Sequence, residues 1–222
     1  MSISPKRVAI RAVTRVPMYR AMPSGALRTY AALRYHGEHS TKEQIAAFVR
    51  SLGGIPTRHL SAGLVAAQAV FRVGEDDLLI EALDTLERRF PEAPEVYLLR
   101  SDLHTFYGRY EDALRCAERA RLLHPATTGA VTRVIQLGYH VLDRAAADEA
   151  AVAAVRRFPR TGAVLWAAAK ACDSPEQYAR LEAAWRGAAT EPTDLLRAVR
   201  QLATAASRAG NPEVATDLYR QA

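Results

Sequence analysis

Residues able to carry chemistry are few and scattered. His36 and His39 bracket Gly37-Glu38, and two imidazoles with one carboxylate could begin a metal site. Nothing nearby supplies a third anchor, so the stretch reads as a polar loop between helices. His104 and His140 sit inside apolar-periodic stretches and read as buried, hydrogen-bonded side chains. Cys116 and Cys172 lie far apart, without CxxC spacing and without a neighbouring His-Asp pattern. Both read as packing thiols in a reducing compartment. The acid pairs Asp76-Asp77 and Glu111-Asp112 open helical stretches, where negative charge complements the helix dipole. No P-loop, GxGxxG after a strand, GxSxG or HExxH occurs. The expectation is therefore no catalytic, metal-binding or cofactor-binding residue.

Composition sets wider limits. The chain has 222 residues, 49% hydrophobic and 24% charged, which is ordinary for a globular protein and enough for a sizeable core. Lysine is confined to Lys6, Lys42 and Lys170, so arginine carries the basic charge, a bias that fits a high-GC bacterial gene. The net charge is +6, and residues 1–40 hold seven basic residues against the single acid Glu38. The remaining residues carry 23 charges of each sign. No apolar run reaches the roughly 20 residues of a membrane-spanning helix, and arginines interrupt any secretory signal. A cytoplasmic location is expected, with the inner face of a membrane as a further option through the basic start.

What must position any site is a repeat. Pro91, Pro125 and Pro159 recur every 34 residues, behind LERRF, ARLLH and AVRRF. Proline cannot continue the preceding helix, so each marks a stop. Gly74, Gly108 and Gly210 fall on the same period, between one helical stretch and the next. Glycine there supplies a left-handed turn that other residues resist. Ala113, Ala147 and Ala215 share one place in the second helix of each unit, and Ala120, Ala154 and Ala188 share another. Small side chains at these places let two antiparallel helices approach closely. Two helices in 34 residues is the signature of a helical solenoid.

In GRYEDALRCAERARLLHP, the residues Gly108, Tyr110, Ala113, Ala120 and Pro125 resemble the second-helix pattern of the tetratricopeptide repeat (TPR) family. Tyr97 stands where that family usually has Trp, and Arg100-Ser101 where it has Leu-Gly. Leu142 and Glu176 replace the turn glycine, and Thr193 replaces the proline beside Pro192. The resemblance implies an all-α, right-handed solenoid of antiparallel helix pairs. Its units are about 60–93, 94–127, 128–161, 162–195 and 196–222, the last incomplete. An irregular helix pair over 23–59 precedes them, behind a basic segment over 1–22. The second helix of that pair begins at a capping box, either Ser40-x-x-Glu43 or Thr41-x-x-Gln44, and ends at Gly53-Gly54. VTRVIQLGYHVL is rich in β-branched residues, but the repeat phase makes it a helix. A final helix starts at Pro212, and the short last unit suggests a longer protein cut here.

The resemblance also implies that first helices line a concave groove. Its expected wall includes Gln68, Phe71, Asp102, Thr105, Gln136, Tyr139, Trp166, Lys170, Arg200 and Thr204. Such a mixed polar and aromatic surface suits a peptide or a docked helix. The Lys and Asn of the carboxylate-clamp subclass are missing, because Leu64 and Leu98 stand at the Lys place. Lys6, Arg7, Arg11, Arg15 and Arg20 form a second candidate surface. Arg7, Arg11 and Arg15 make one stripe if helical, suited to anionic lipid or an acidic protein. Nucleic acid ranks last, because interleaved aromatic residues are missing. The leading reading is a non-catalytic module that docks a protein segment. A second reading is the N-terminal scaffold of a larger, membrane-associated bacterial enzyme of cell-envelope polymer synthesis, with catalysis beyond Ala222. A third is nucleic-acid binding through the basic start. Sequence leaves the oligomeric state open.

Overall fold

Helices are the only regular elements among the described residues. The structure is a computed structural model that describes residues 40–51, 54–186 and 195–221. The basic segment and the first helix expected before Gly37 lie outside them, as do Ala188, Pro192 and Thr193. Two compact units divide between Leu103 and His104.

The first unit contains α1 (Lys42–Ser51), α2 (Leu60–Val73), α3 (Asp76–Arg89) and most of α4 (Pro94–Phe106). Helix α1 begins at the expected box in its Thr41 form. The Thr41 N–H donates to Gln44 Oε1 at 3.1 Å, and the Gln44 N–H donates to Thr41 Oγ1 at 3.4 Å. Apolar residues three and four apart put one face of each helix into a single core. Val49, Ala66, Val70, Leu79, Leu83, Leu86, Val96 and Leu99 meet there. Each buried leucine contributes about 1.5–3 kcal/mol. Gly63 allows α2 to lie close to α3, since a Cβ there would stand 2.7 Å from Leu86 Cδ2. Arg100 on α4 reaches back to Asp84 at 2.6 Å and Glu87 at 3.1 Å on α3.

The second unit continues through α5 (Tyr110–Leu123), α6 (Thr128–Val141), α7 (Arg144–Arg157), α8 (Gly162–Lys170), α9 (Pro175–Arg186), α10 (Leu195–Arg208) and α11 (Pro212–Gln221). The β-branched stretch is helical, as α6. Ala113 and Ala117 of α5 pack on Leu137 of α6. A larger core gathers Ile135, Val155, Val164, Leu165, Leu181, Trp185, Val199 and Leu202 from α6 to α10. Consecutive helices thus pack on their neighbours within each unit.

The periodic residues do what their chemistry predicts. Gly74, Gly108 and Gly210 have φ of 78°, 69° and 78°. Helices α3, α5 and α7 stop at Arg89, Leu123 and Arg157, two residues before Pro91, Pro125 and Pro159. At each stop the next N–H closes the last turn, from Phe90 to Leu86 O, His124 to Ala120 O and Phe158 to Ala154 O. Ala113, Ala147 and Ala215 are buried, and Ala154 is half-buried.

Candidate functional site

A concavity in the second unit lies along α6 and α8. It is a cleft of about 330 Å³, lined by Thr105, Arg133, Gln136, Tyr139, His140 and Lys170 over a floor that includes Leu137, Ala167 and Ala171. Helices α4, α6 and α8 each contribute side chains. In α6, Leu137 and Gly138 face inward while Arg133, Gln136 and His140 stay accessible, the consequence of an amphipathic helix with one buried stripe.

Four of the expected groove residues come together here: Thr105, Gln136, Tyr139 and Lys170. Trp166 lies one turn before Lys170, 42% exposed, and the Lys170 ammonium sits 5.2 Å from its ring centre. The others are not lining residues. Gln68 is exposed on α2, and Phe71 packs against the core of the first unit. Asp102 is half-buried on α4. Arg200 is exposed on α10, where the Thr204 hydroxyl donates to its carbonyl at 2.9 Å. Lys6, Arg7, Arg11, Arg15 and Arg20 lie outside the described residues.

Arg133 and His140 were not anticipated at the cleft. The expected groove residues on α6 were Gln136 and Tyr139, and the cleft also takes in Arg133, one turn earlier, and the neighbouring His140. His140 corrects its sequence reading as a buried side chain. It is exposed, and its ring stacks on Tyr110 at 4.5 Å and 9°.

Behind the cleft, Tyr139 enters a polar network. Its hydroxyl donates to Asp148 Oδ1 at 3.1 Å, and Gln177 Nε2 donates to Asp148 Oδ2 at 2.9 Å. Arg144 Nη2 donates to Ala171 O at 2.6 Å and Gln177 Oε1 at 3.0 Å, and pairs with Asp173 at 2.9 Å. Its guanidinium also lies 5.1 Å from the Tyr139 ring centre. The Tyr139 hydroxyl is thus committed inward, and a bound molecule would meet the ring. Burial, then the Asp148 charge, raises the Tyr139 pKa. Burial and Glu182 act the same way on Tyr178.

Cys172 borders this network and is 6% exposed. Burial, then the Asp148 charge, pushes its thiol up from 9.0 to about 11. A nucleophilic thiol needs the opposite shift, and Cys172 packs in the core of the second unit. At pH 8 the native thiol should react with Ellman's reagent about 100-fold more slowly than an ordinary thiol, from ionisation alone. Unfolding in guanidinium should restore ordinary reactivity. The same shift has a stability consequence. The unfolded thiol loses its proton near pH 9, while the folded one holds it to about pH 11. The folded state therefore binds more protons between these values, and stability falls as pH rises through that window. Urea titrations at pH 8 and pH 10 should differ by about 1 kcal/mol from this group. Cys172→Ala should remove that part of the difference.

Among the described residues no cluster of three or more His, Cys, Asp or Glu could hold a metal ion, and no helix is long and apolar enough to cross a membrane. No family model matches the chain, and no curated protein matches it.

Proposed function

We propose that the chain is a non-catalytic interaction module of the tetratricopeptide type, which binds a segment of a partner protein in the cleft along α6 and α8. In this reading the paired helices follow a right-handed superhelical path, with first helices on the binding side. The observation that carries it is the convergence of Thr105, Gln136, Tyr139 and Lys170 on one cleft. These positions are among those the family resemblance implies for the groove, and they come from three successive first helices. The 34-residue recurrence of turn glycines in left-handed conformation supports the repeat reading independently. Cleft size falls at the lower end of ligand-binding pockets, about 300–1,000 Å³, which suits a few side chains of a peptide better than a folded domain face.

Selection of a displayed random-peptide library on the immobilised full chain tests this. Enriched peptides should bind the native chain and lose about tenfold or more in affinity with Trp166→Ala plus Gln136→Ala, since anchor truncations commonly cost over 1 kcal/mol each. Trp166 is exposed beside Lys170 and Gln136 lines the cleft, and neither is a core residue, so helicity should be unchanged. Failure to enrich any peptide, or equal binding by the variant, would overturn the reading.

A further inference from the structure

A second groove, of about 260 Å³, lies among α5, α6 and α7 and shares no lining residue with the cleft. Val131, Val134 and Ile135 of α6 line it together with Ala150, Ala153 and Ala154 of α7. The α7 residues recur at i, i+3 and i+4 and continue into Arg157 and Phe158. One face of that helix therefore gives a strip roughly 10 Å long. Helix α5 brings the one acid among the described lining residues, Glu118, and Arg121 pairs with it at 2.6 Å. Arg157 lies 5.4 Å from the Phe158 ring centre and makes no ion pair among the described residues. The groove is thus aliphatic along its length, with one uncompensated cation at the Phe158 end.

Two features decide what fits. Among the described residues, no lining side chain is a neutral hydrogen-bonding group. The helix backbones spend their own N–H and C=O groups internally. A peptide laid here would bring an amide at every residue and leave it without a partner, at a cost an alkyl chain does not incur. The second feature is charge, since Arg157 favours an anionic head at one end of the strip. We propose that the groove binds a straight-chain fatty carboxylate, its chain along Ala150, Ala153 and Ala154 and its head against Arg157. A methylene group takes roughly the volume of a water molecule, about 30 Å³, so about eight or nine chain carbons fill the groove. That length is a medium-chain acid of the decanoate class. The short alanine side chains leave the space that such a chain occupies.

Isothermal titration of the full chain at pH 8 tests this with three probes below their micelle concentrations: decanoate, hexanoate and decyltrimethylammonium. Decanoate should saturate at one per chain. Hexanoate should bind at least tenfold more weakly, because it buries fewer methylene groups. Decyltrimethylammonium, with the same chain and a cationic head, should also bind at least tenfold more weakly. Ala153 is exposed, so Ala153→Trp should fill the groove without disturbing the core and should abolish decanoate binding. Arg157→Glu should reverse the preference between decanoate and decyltrimethylammonium, an inversion that loss of packing alone would not give. Thermal melting checks that each variant is folded, and the probe series on the native chain stands whether or not they are. Absence of saturable decanoate binding, equal binding of the two ten-carbon probes, or binding unchanged in Ala153→Trp would overturn the proposal. So would self-association of the chain, or binding of library peptides, that Ala153→Trp abolishes, since the groove would then belong to a second copy or a peptide. None of these results bears on the cleft along α6 and α8, whose test uses Trp166 and Gln136.

Discussion

Trp185→Ala should destabilise the second unit by about 3–5 kcal/mol, the usual range for deleting a buried aromatic side chain. The indole of Trp185, on α9, is 3% exposed and belongs to the core that includes Val155, Val164, Val199 and Leu202. Its Nε1 donates to Pro159 O at 3.1 Å, tying α9 to the turn after α7. Truncation would leave a cavity among short side chains that cannot reach across it, because Ala168, Ala169, Ala203 and Ala206 are prominent in the same core. Whole domains hold only about 5–15 kcal/mol of stability, so the variant should lie close to unfolding. Urea denaturation followed by far-ultraviolet circular dichroism measures the loss. Trp185→Phe keeps most of the ring and discards the hydrogen bond, so it should cost only about 1–2 kcal/mol. A loss under about 1 kcal/mol for the alanine variant would show that α9 does not close the core as described.

Trp185 illustrates what was hard to read in the chain. Its partner carbonyl is that of Pro159, 26 positions earlier. Pro91 plays a related part nearer at hand, since its carbonyl accepts from the Tyr97 hydroxyl at 3.0 Å. The prolines were visible in sequence as stops, but their carbonyls as acceptors were not, because that role depends on which helix packs nearby. Backbone-determined features were legible for the opposite reason. A glycine at φ near 75° or an absent proline N–H acts through its own residue, so Gly74, Gly108 and Gly210 could be marked from spacing alone.

Departures from the period also make physical sense. Leu142 stands where a glycine was expected, and it is extended at φ −84° and ψ 160°. No left-handed residue is needed there, because Asp143 caps the next helix by accepting from the Ala146 N–H at 3.0 Å. One unit later α8 ends early, at Lys170. Ser174 then takes over the entry to α9, its hydroxyl accepting from the Gln177 N–H at 3.3 Å. The candidate site was legible in the same partial way. The family resemblance pointed to Gln136, Tyr139 and Lys170, of which Gln136 and Tyr139 lie three apart on one face of α6. It did not identify Arg133 or His140, whose place depends on how wide the cleft opens between neighbouring helices. Nor did it find Arg144, Asp148 and Gln177, which join residues 29 and 33 positions apart.

Within that network, Asp148→Ala should cost about 2–4 kcal/mol and also weaken binding at the cleft. The carboxylate is 13% exposed, and it accepts from both the Tyr139 hydroxyl and Gln177 Nε2. Arg144 stands 3.6 Å away. Removing the acceptor strands two donors in a confined space, each worth about 1–3 kcal/mol when left unsatisfied. Arg144 keeps Asp173, Gln177 and the Ala171 carbonyl, so its own loss is partial. The asymmetry of buried polar groups gives a sharper form of the prediction. Tyr139→Phe in the Asp148→Ala background removes one stranded hydroxyl and should cost less than Tyr139→Phe in the native chain. A double-mutant cycle by urea denaturation should return a coupling of about 1 kcal/mol or more between the two positions. Binding supplies the second readout. Asp148 does not line the cleft, yet its hydrogen bond helps set where the Tyr139 ring stands in the cleft wall. Peptides selected on the native chain should therefore bind Asp148→Ala several-fold more weakly under conditions where it remains folded. Additive stability losses would show that Tyr139 and Asp148 act separately, and unchanged peptide affinity would remove the link from network to cleft.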